Sequence, residues 1–278
     1  MNYINKSGLL DTPKDKNDFQ LGKIIKWIEL KHLPENFELE PISIKNQGDT
    51  DFCTSFATCG MSELQEEVEL NPYWSFAAGK EISGNPEKWG QDIRTALKAH
   101  LEPYGAVEEK EFLELLEKGM EYEHDNKLRY TGNYPKEFFE KAKKHRKQSF
   151  FKVEGYPREW TPSDAIRSAM YLFRDKKRAV GIGVKWNYKL SDTFITEPSD
   201  DGFGHMMYIR GWKKHMFIVQ NSYGKEAGEN GTHYFSEEVI NKTVKKYGAY
   251  LFVDEDPEEM KKVCWSFWRY WLNKLKKL

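Results

Sequence analysis

The spacing of apolar residues divides the chain into a helical first part and a β-rich second part. Residues 53–70 carry apolar side chains near a 3.6-residue period, which predicts a helix that ends at Asn71-Pro72. The same periodicity recurs over 92–101 and over 161–174, where a Thr-Pro pair supplies a helix start signal. The first part is therefore expected to be mainly α-helical.

After Arg178 the pattern changes to short apolar runs separated by glycine and polar residues. Such runs are typical of buried strands, and two of them are close enough to form a hairpin across 211–214. Helices followed by strands predict an α+β fold in which a helical lobe faces a β-rich lobe, with a cleft between them. The predicted strands are 179–184, 206–211, 215–220, 232–235 and 249–253.

Three segments follow from these patterns. Residues 1–40 are polar and proline-containing, and we expect an extended lead-in there. Residues 41–254 are expected to form the main domain, with a helical lobe over about 41–175 and a β-rich lobe over about 176–254. Residues 255–278 are expected to form a basic, aromatic C-terminal helix.

The C-terminal helix has three interpretations. Residues 261–278 hold six cations and no acid, and their aromatic and leucine side chains recur at helical spacing. The helix could pack on its own domain, dock a partner protein or lie on an anionic membrane surface, and the membrane contact is the least favoured of the three.

Composition narrows the classes of function. The 278 residues include 43 Lys and Arg against 44 Asp and Glu, a net charge of −1, which argues against a nucleic-acid-binding protein. The chain has no apolar run of about 18 residues for a membrane span and no apolar N-terminal run typical of a signal sequence. The histidines are not spaced for zinc with a cysteine pair, so no metal is expected; the chain also has no phosphate-binding glycine loop, and no cofactor is expected.

Cys53 is the cysteine best placed for chemistry. The three cysteines, Cys53, Cys59 and Cys264, are too few for a disulfide framework. Cys53 starts the predicted helix 53–70, where unpaired N–H groups and a partial positive charge favour the thiolate, the nucleophilic form. The other two cysteines are expected to be packing residues.

His205 and Asn221 could complete a nucleophilic site. A cysteine nucleophile needs a base to take and return its proton, and the base needs a partner that orients its ring. His205 enters a predicted strand behind Gly204, and Asn221 follows the end of another. Gln47 could add an amide N–H to the Cys53 backbone N–H in an oxyanion hole. Taken singly, these residues also fit structural roles: Cys53 as a buried thiol, His205 as a strand histidine and Asn221 as a turn residue.

These residues resemble the papain-like (C1) cysteine peptidase family, in particular its bacterial and phage-type members. The similarity covers about residues 7–254. Each motif is weak alone, but their order and spacing agree. The similar stretches are Gly8 with 11–19, Leu33-Pro34, Gln47-Gly48, Cys53, 70–74, 90–98, Tyr104-Gly105, Gly204-His205, 221–224 and 228–231.

The resemblance implies a two-lobe fold and a cysteine endopeptidase that acts through a thioester acyl-enzyme. Cys53 would be the nucleophile and His205 the general base and acid. Asn221 would orient the imidazole, and Gln47 would line the oxyanion hole.

Four residues would line the substrate cleft: Trp89, Gly90, Gly204 and Tyr223. By the same resemblance, the Gly90 backbone would pair with an extended substrate as an added strand. Tyr223 would shield the bond between the catalytic His and Asn from water.

The sequence also departs from the family pattern. Thr50 stands in place of a usual cysteine, so the associated disulfide is missing, in agreement with a reducing compartment. Thr54 and Tyr223 replace tryptophans, and Trp89 replaces the first of two glycines, which would narrow the substrate groove. Only 46 residues precede Gln47, so an inhibitory pro-region is not expected.

Two alternatives to a peptidase remain. One is a papain-like structural or binding component, for example of a phage particle, with weak or no activity. The other is an acyl transferase of the transglutaminase kind, which Asn221 disfavours because that family uses Asp as the third residue. The expected partner is a peptide or protein substrate, and the expected location is the cytoplasm or a virion.

Overall fold

The computed structural model describes residues 8–12, 15, 18–85, 88–117 and 136–254. The helices are α1 (Cys53–Glu66), α2 (Pro72–Ser83), α3 (Ile93–Lys98), α4 (Glu109–Glu117), α5 (Lys136–Ala142), α6 (Pro162–Leu172) and α7 (Glu237–Tyr247). The strands are β1 (Asn36–Glu38), β2 (Ser149–Lys152), β3 (Val180–Trp186), β4 (Phe194–Ile195), β5 (Phe203–Lys213), β6 (Met216–Gln220), β7 (Thr232–Ser236) and β8 (Ala249–Val253).

Helix α1 is the central helix of the fold. It packs against β5, α2 and α3, and every residue of its first three turns is buried. The helix ends earlier than the predicted residue 70, because Glu67 adopts a left-handed backbone with φ of 57°. The Glu63 carboxylate then accepts the backbone N–H of Leu70 at 2.8 Å, which satisfies a group beyond the helix end.

Side-chain caps set the starts of two other helices. Asn71 accepts the backbone N–H of Trp74 at 2.9 Å, so the residue predicted to end the first helix also begins α2. Thr161 and Asp164 form a reciprocal capping box at the start of α6, as the Thr-Pro signal indicated.

The strands form one sheet in the order β2-β8-β3-β5-β6-β7-β4, with β1 also paired to β5. The pairings are antiparallel except for β4 with β7. Strands β5 and β6 form the expected hairpin, with a register shift between Ile209 and Gly211. Strands β1, β2, β4 and helix α7 were not predicted. The mixed α+β architecture confirms the predicted fold class.

The lead-in lies along the main domain in its described part. Strand β1 pairs with β5, and Gln20 forms a parallel bridge with Lys152. Trp27 Nε1 donates to the Gly155 carbonyl at 3.2 Å, and Leu21 is fully buried. The segment is therefore a packed part of the fold.

The predicted C-terminal helix lies outside the described residues, which end at Asp254. Its three interpretations therefore stay predictions. Among the helices that the structure does describe, none is both long and apolar enough to cross a membrane.

Candidate active site

Cys53 is the first residue of α1, and it is completely buried. Burial is the main reason that the pKa of its thiol is raised to about 12, and the charge of Asp51 contributes to the rise. Backbone N–H groups of Met206, Gly8 and Thr54 hydrogen-bond to the sulfur and oppose this effect. In this closed arrangement the thiol is protonated, whereas the helix N-terminus alone predicted a thiolate.

His205 lies on β5, opposite Val184 of β3. Its Nε2 is 2.8 Å from Asn221 Oδ1, and its Nδ1 is 3.2 Å from the Tyr223 hydroxyl. Burial lowers the pKa of His205 to about 4, although the bond to Asn221 raises it. The ring is therefore neutral near pH 7, and both of its nitrogens are hydrogen-bonded.

Tyr223 covers the His205 ring. The two rings stack with centroids 4.6 Å apart and planes 13° apart, and Trp186 meets both rings edge-on. Burial raises the pKa of Tyr223, and so would the charge of Cys53 in its thiolate form. The residue thus forms an apolar cover over the imidazole and also binds the nitrogen opposite the Asn221 bond.

Gln47 connects the loop before α1 to the end of β6. Its Nε2 donates to the Thr50 carbonyl at 2.8 Å, and its Oε1 accepts from the Ser222 hydroxyl at 2.6 Å. An amide nitrogen carries two N–H donors, and the bond to Thr50 uses one. The Gln47 side chain is buried and held next to the nucleophile loop.

The lead-in crosses the site between the two lobes. The Leu9 N–H donates to the Gly204 carbonyl at 3.2 Å, and the Leu10 N–H donates to the Gln91 carbonyl at 3.1 Å. The Gln91 N–H donates to the Gly8 carbonyl at 2.8 Å. Residues 8–10, called the cleft segment below, therefore occupy the place where a bound chain was expected, and they close the site over the thiol.

Two glycines make room for the cleft segment. Gly90 has φ of +68°, and a Cβ there would lie 2.2 Å from the Gly8 carbonyl oxygen. A Cβ on Gly204 would lie 2.4 Å from the Leu9 carbonyl oxygen. Any larger residue would displace the segment. The pairing itself is made by Gln91, one residue beyond the predicted Gly90, while Trp89 is 45% exposed at the margin.

A buried carboxylate and a buried lysine hold the Gly90 turn. The Asp51 carboxylate accepts the Gly90 N–H, and Lys80 Nζ donates to the Gly90 carbonyl at 2.7 Å. Burial raises the pKa of Asp51 and lowers that of Lys80, while each charge favours the ionised form of the other. These two groups connect the loop before Cys53 to the Gly90 edge of the cleft. The sequence had indicated only that the disulfide usual in this loop is missing at Thr50.

No family model and no curated relative matches the chain. Solved structures do match. Xylellain, a cysteine protease from Xylella fastidiosa, has a TM-score of 0.71 and 15% identity, covering 91% of this chain and 97% of its own. Digestive procathepsin L 3 of Tenebrio molitor larval midgut has a TM-score of 0.60 and 15% identity, covering 90% of this chain and 77% of its own. The bromelain protease from Ananas comosus, in complex with the E64 inhibitor, has a TM-score of 0.55 and 16% identity, covering 80% of this chain and 100% of its own.

The fold is papain-like. Identities of 15% and 16% establish the fold alone, so the chemistry has to be argued from this chain's own residues. Cys53 is the first residue of α1, and Gln47 lies in the loop before it and bonds to Ser222. The neighbour of Ser222, Asn221, is hydrogen-bonded to His205 on the sheet.

The sequence did not reveal the cleft segment, Asp51 or His233 as parts of the site. Gly8 belonged to the similar stretches, but nothing in the pattern indicated that it would reach Cys53. His233 lies on β7 after a glycine-rich turn, and it is buried and bonded to Asn221.

Proposed function

We propose that the chain is a cysteine endopeptidase that forms a thioester between Cys53 and the acyl part of a peptide substrate. The observation that carries this proposal is the 2.8 Å bond between His205 Nε2 and Asn221 Oδ1, in a papain-like fold whose central helix begins at a cysteine. A structural histidine has no need of a buried amide partner together with a tyrosine cover, and the backbone N–H of the next residue, Met206, bonds to the Cys53 sulfur.

Acylation follows from these groups. His205 Nδ1 takes the Cys53 proton as the sulfur attacks the substrate carbonyl carbon. The oxyanion accepts hydrogen bonds from an amide N–H of Gln47 and from the backbone N–H of Cys53. The imidazolium then gives its proton to the leaving amine as the C–N bond breaks, which leaves a thioester and a neutral His205.

Deacylation uses the same groups. His205 takes a proton from water as the hydroxyl oxygen attacks the thioester carbon. The second oxyanion collapses, the C–S bond breaks, and the imidazolium returns its proton to the sulfur. The products are the carboxylic acid and the free thiol, so protons and bonds balance over the cycle.

A substrate reaches Cys53 in this proposal only after the cleft segment has moved. Support comes from the complete burial of the thiol and from the three backbone bonds that the segment makes to Gln91 and Gly204. In this proposal residues 8–10 are enough to cover the thiol, because the Gly8 backbone N–H bonds to the sulfur and the segment pairs with Gln91 and Gly204.

The test is labelling of the folded protein with E64, the inhibitor bound to bromelain. We expect a covalent adduct on Cys53 that is absent from Cys53→Ser. Cys59→Ser is the matched control, because Cys59 is also fully buried on α1 and burial likewise raises its pKa to about 12. Absence of any adduct on Cys53, even after the cleft segment is loosened by Leu9→Ala, would refute the proposal.

The runner-up function is a papain-like binding component without peptidase activity. The closed site favours it, because a buried, protonated thiol is not reactive as it stands. It predicts specific peptide binding without turnover or labelling. The phage-type origin, the virion or cytoplasmic location and a partner for the C-terminal helix rest on the sequence motifs, and they stay predictions.

A further inference from the structure

A second histidine lies behind Asn221. His233, on β7, is completely buried, and its Nε2 is 3.0 Å from Asn221 Nδ2. Its Nδ1 is 2.6 Å from the backbone carbonyl oxygen of Asp192. Asn221 therefore stands between two imidazoles, with His205 on its oxygen and His233 on its nitrogen.

Backbone groups at both ends give this chain of hydrogen bonds one direction. The Asp192 carbonyl can only accept, so His233 Nδ1 carries the proton and, in the neutral ring, Nε2 accepts. The Ser222 backbone N–H can only donate, and it lies 2.7 Å from Asn221 Oδ1, which identifies that atom as the amide oxygen. The amide N–H then points at His233, and His205 Nε2 donates to Oδ1.

Neutrality of His233 is required, since a protonated ring would set its Nε2–H against the Asn221 N–H₂ group. The groups around it favour the neutral form. Burial lowers the pKa of His233, although the backbone bond and the charge of Asp192 raise it. The Trp186 ring meets the imidazole edge-on at 5.0 Å. Charge on His205 and charge on His233 disfavour each other, because the two rings face opposite ends of one amide.

The surroundings of His233 are held in place from two sides. The Lys189 N–H donates to the Asp192 carboxylate at 2.9 Å, and the Asp192 N–H donates to the Lys189 carbonyl at 3.1 Å, which closes the turn that presents the Asp192 carbonyl. Gly228, with φ of +53°, passes so close that a Cβ there would lie 2.9 Å from His233 Nδ1. The ring is thus packed in one orientation.

We propose that His233 is a positioning residue for the peptidase site. By accepting the Asn221 amide N–H, it holds the amide oxygen on His205 Nε2, and so it keeps His205 Nδ1 as the nitrogen that exchanges a proton with the thiol. The inference rests on the proposed function, but the tautomers it requires exist whether or not the protein turns over a substrate.

The direct test is the tautomeric state of the histidines in the ¹⁵N-labelled full chain at pH 7. Long-range ¹H–¹⁵N correlation spectra distinguish Nδ1–H from Nε2–H rings, and His→Gln variants assign the seven histidines. We expect Nδ1–H for His233 and Nε2–H for His205. An Nε2–H ring at His233 would overturn the inference.

Two variants separate positioning from packing. His233→Gln keeps an oxygen acceptor near the Nε2 position, so His205 should stay in the Nε2–H form, whereas His233→Leu should give a mixture of tautomers at His205. His100→Leu is the matched control, since His100 is also fully buried but bonds to Thr58. A His205 ring that is Nε2–H in all variants would contradict the positioning role.

The kinetic test is a double-mutant cycle on the rate of E64 labelling. We expect His233→Leu to slow labelling about tenfold in the wild-type background and less than about twofold in Asn221→Ala, because contacting residues couple. Equal losses in both backgrounds would indicate a merely structural role and overturn the inference. If Cys53 labels neither in the wild type nor in Leu9→Ala, the proposed function fails, while the tautomers still decide the role of His233.

Discussion

Leu9→Ala should open the candidate active site without unfolding the protein. Leu9 is 6% exposed and is part of the main apolar core, where its Cδ2 packs close to Gly183. Truncation of a buried leucine costs about 2–5 kcal/mol. Even about 2 kcal/mol raises the population of the open cleft by roughly 30-fold, because the cost falls on the closed state of the cleft segment.

The assay is alkylation of Cys53 by iodoacetamide, followed by peptide mapping at intervals. The rate should rise roughly 30-fold in Leu9→Ala, in proportion to the open population. Burial is the main cause of the raised thiol pKa, so exposure lowers that pKa toward its ordinary value. The same variant should therefore react at lower pH. Cys59, buried on the same helix, reports global unfolding and should not change.

Leu39→Ala is the matched control. Leu39 belongs to the same lead-in and is 8% exposed, but its backbone bonds to Arg210, away from the cleft segment. It should lower stability with little effect on Cys53 alkylation. If both variants speed alkylation equally, or if Leu9→Ala changes nothing, the cleft segment does not control access to the thiol.

Three further predictions follow from the site and its surroundings. Tyr223→Phe removes the hydroxyl from His205 Nδ1 and should speed Cys53 alkylation about fivefold, the value of one hydrogen bond of about 1 kcal/mol; a slower rate would contradict it. Asp51→Asn leaves the Gly90 N–H with an uncharged acceptor, so amide exchange at Gly90 should become about tenfold faster, and unchanged exchange would exclude the tether. Burial raises the pKa of Glu66, but bonds from His145 and Lys147 outweigh this and hold it at about 2, below the ordinary 4.5. The stabilisation should therefore be present above pH 4.5 and lost as pH falls toward 2. The stability difference between wild type and Glu66→Gln, measured by urea denaturation, should shrink over that range, and a constant difference would refute the assignment.

The helical first part and the β-rich second part were predictable because local signals agree with the tertiary structure. The Thr161 cap, the apolar period of α1 and the apolar run of β8 act over a few residues, and each corresponds to an observed element. Helix α7 was missed because its pattern is amphipathic and highly charged, and its apolar face is buried only in the tertiary structure, where it packs on β3, α6, β7 and β6.

The candidate site could be predicted only in part. The positions of Cys53, His205 and Asn221 in their motifs indicated a nucleophile, a base and an orienting amide. The resemblance paired His205 with Asn221, but it did not predict the bonds from Ser222 to Gln47 and from Tyr223 to His205, because contacts between distant residues depend on which strands become neighbours. The bonds from Tyr223 to His205 and from His233 to Asn221 arise from the pairing of β5, β6 and β7.

Local signals were enough to predict the fold class and the residue types available for chemistry, since the periodicity of apolar residues and the cap and turn residues act over a few positions. The protonation state of the thiol and the closure of the cleft follow instead from how distant segments pack. Both depend on burial: the cleft segment removes water from Cys53, and the resulting desolvation raises the thiol pKa above what a helix N-terminus can offset. Burial of this kind is a property of packed segments distant in the chain, and no local pattern encodes it.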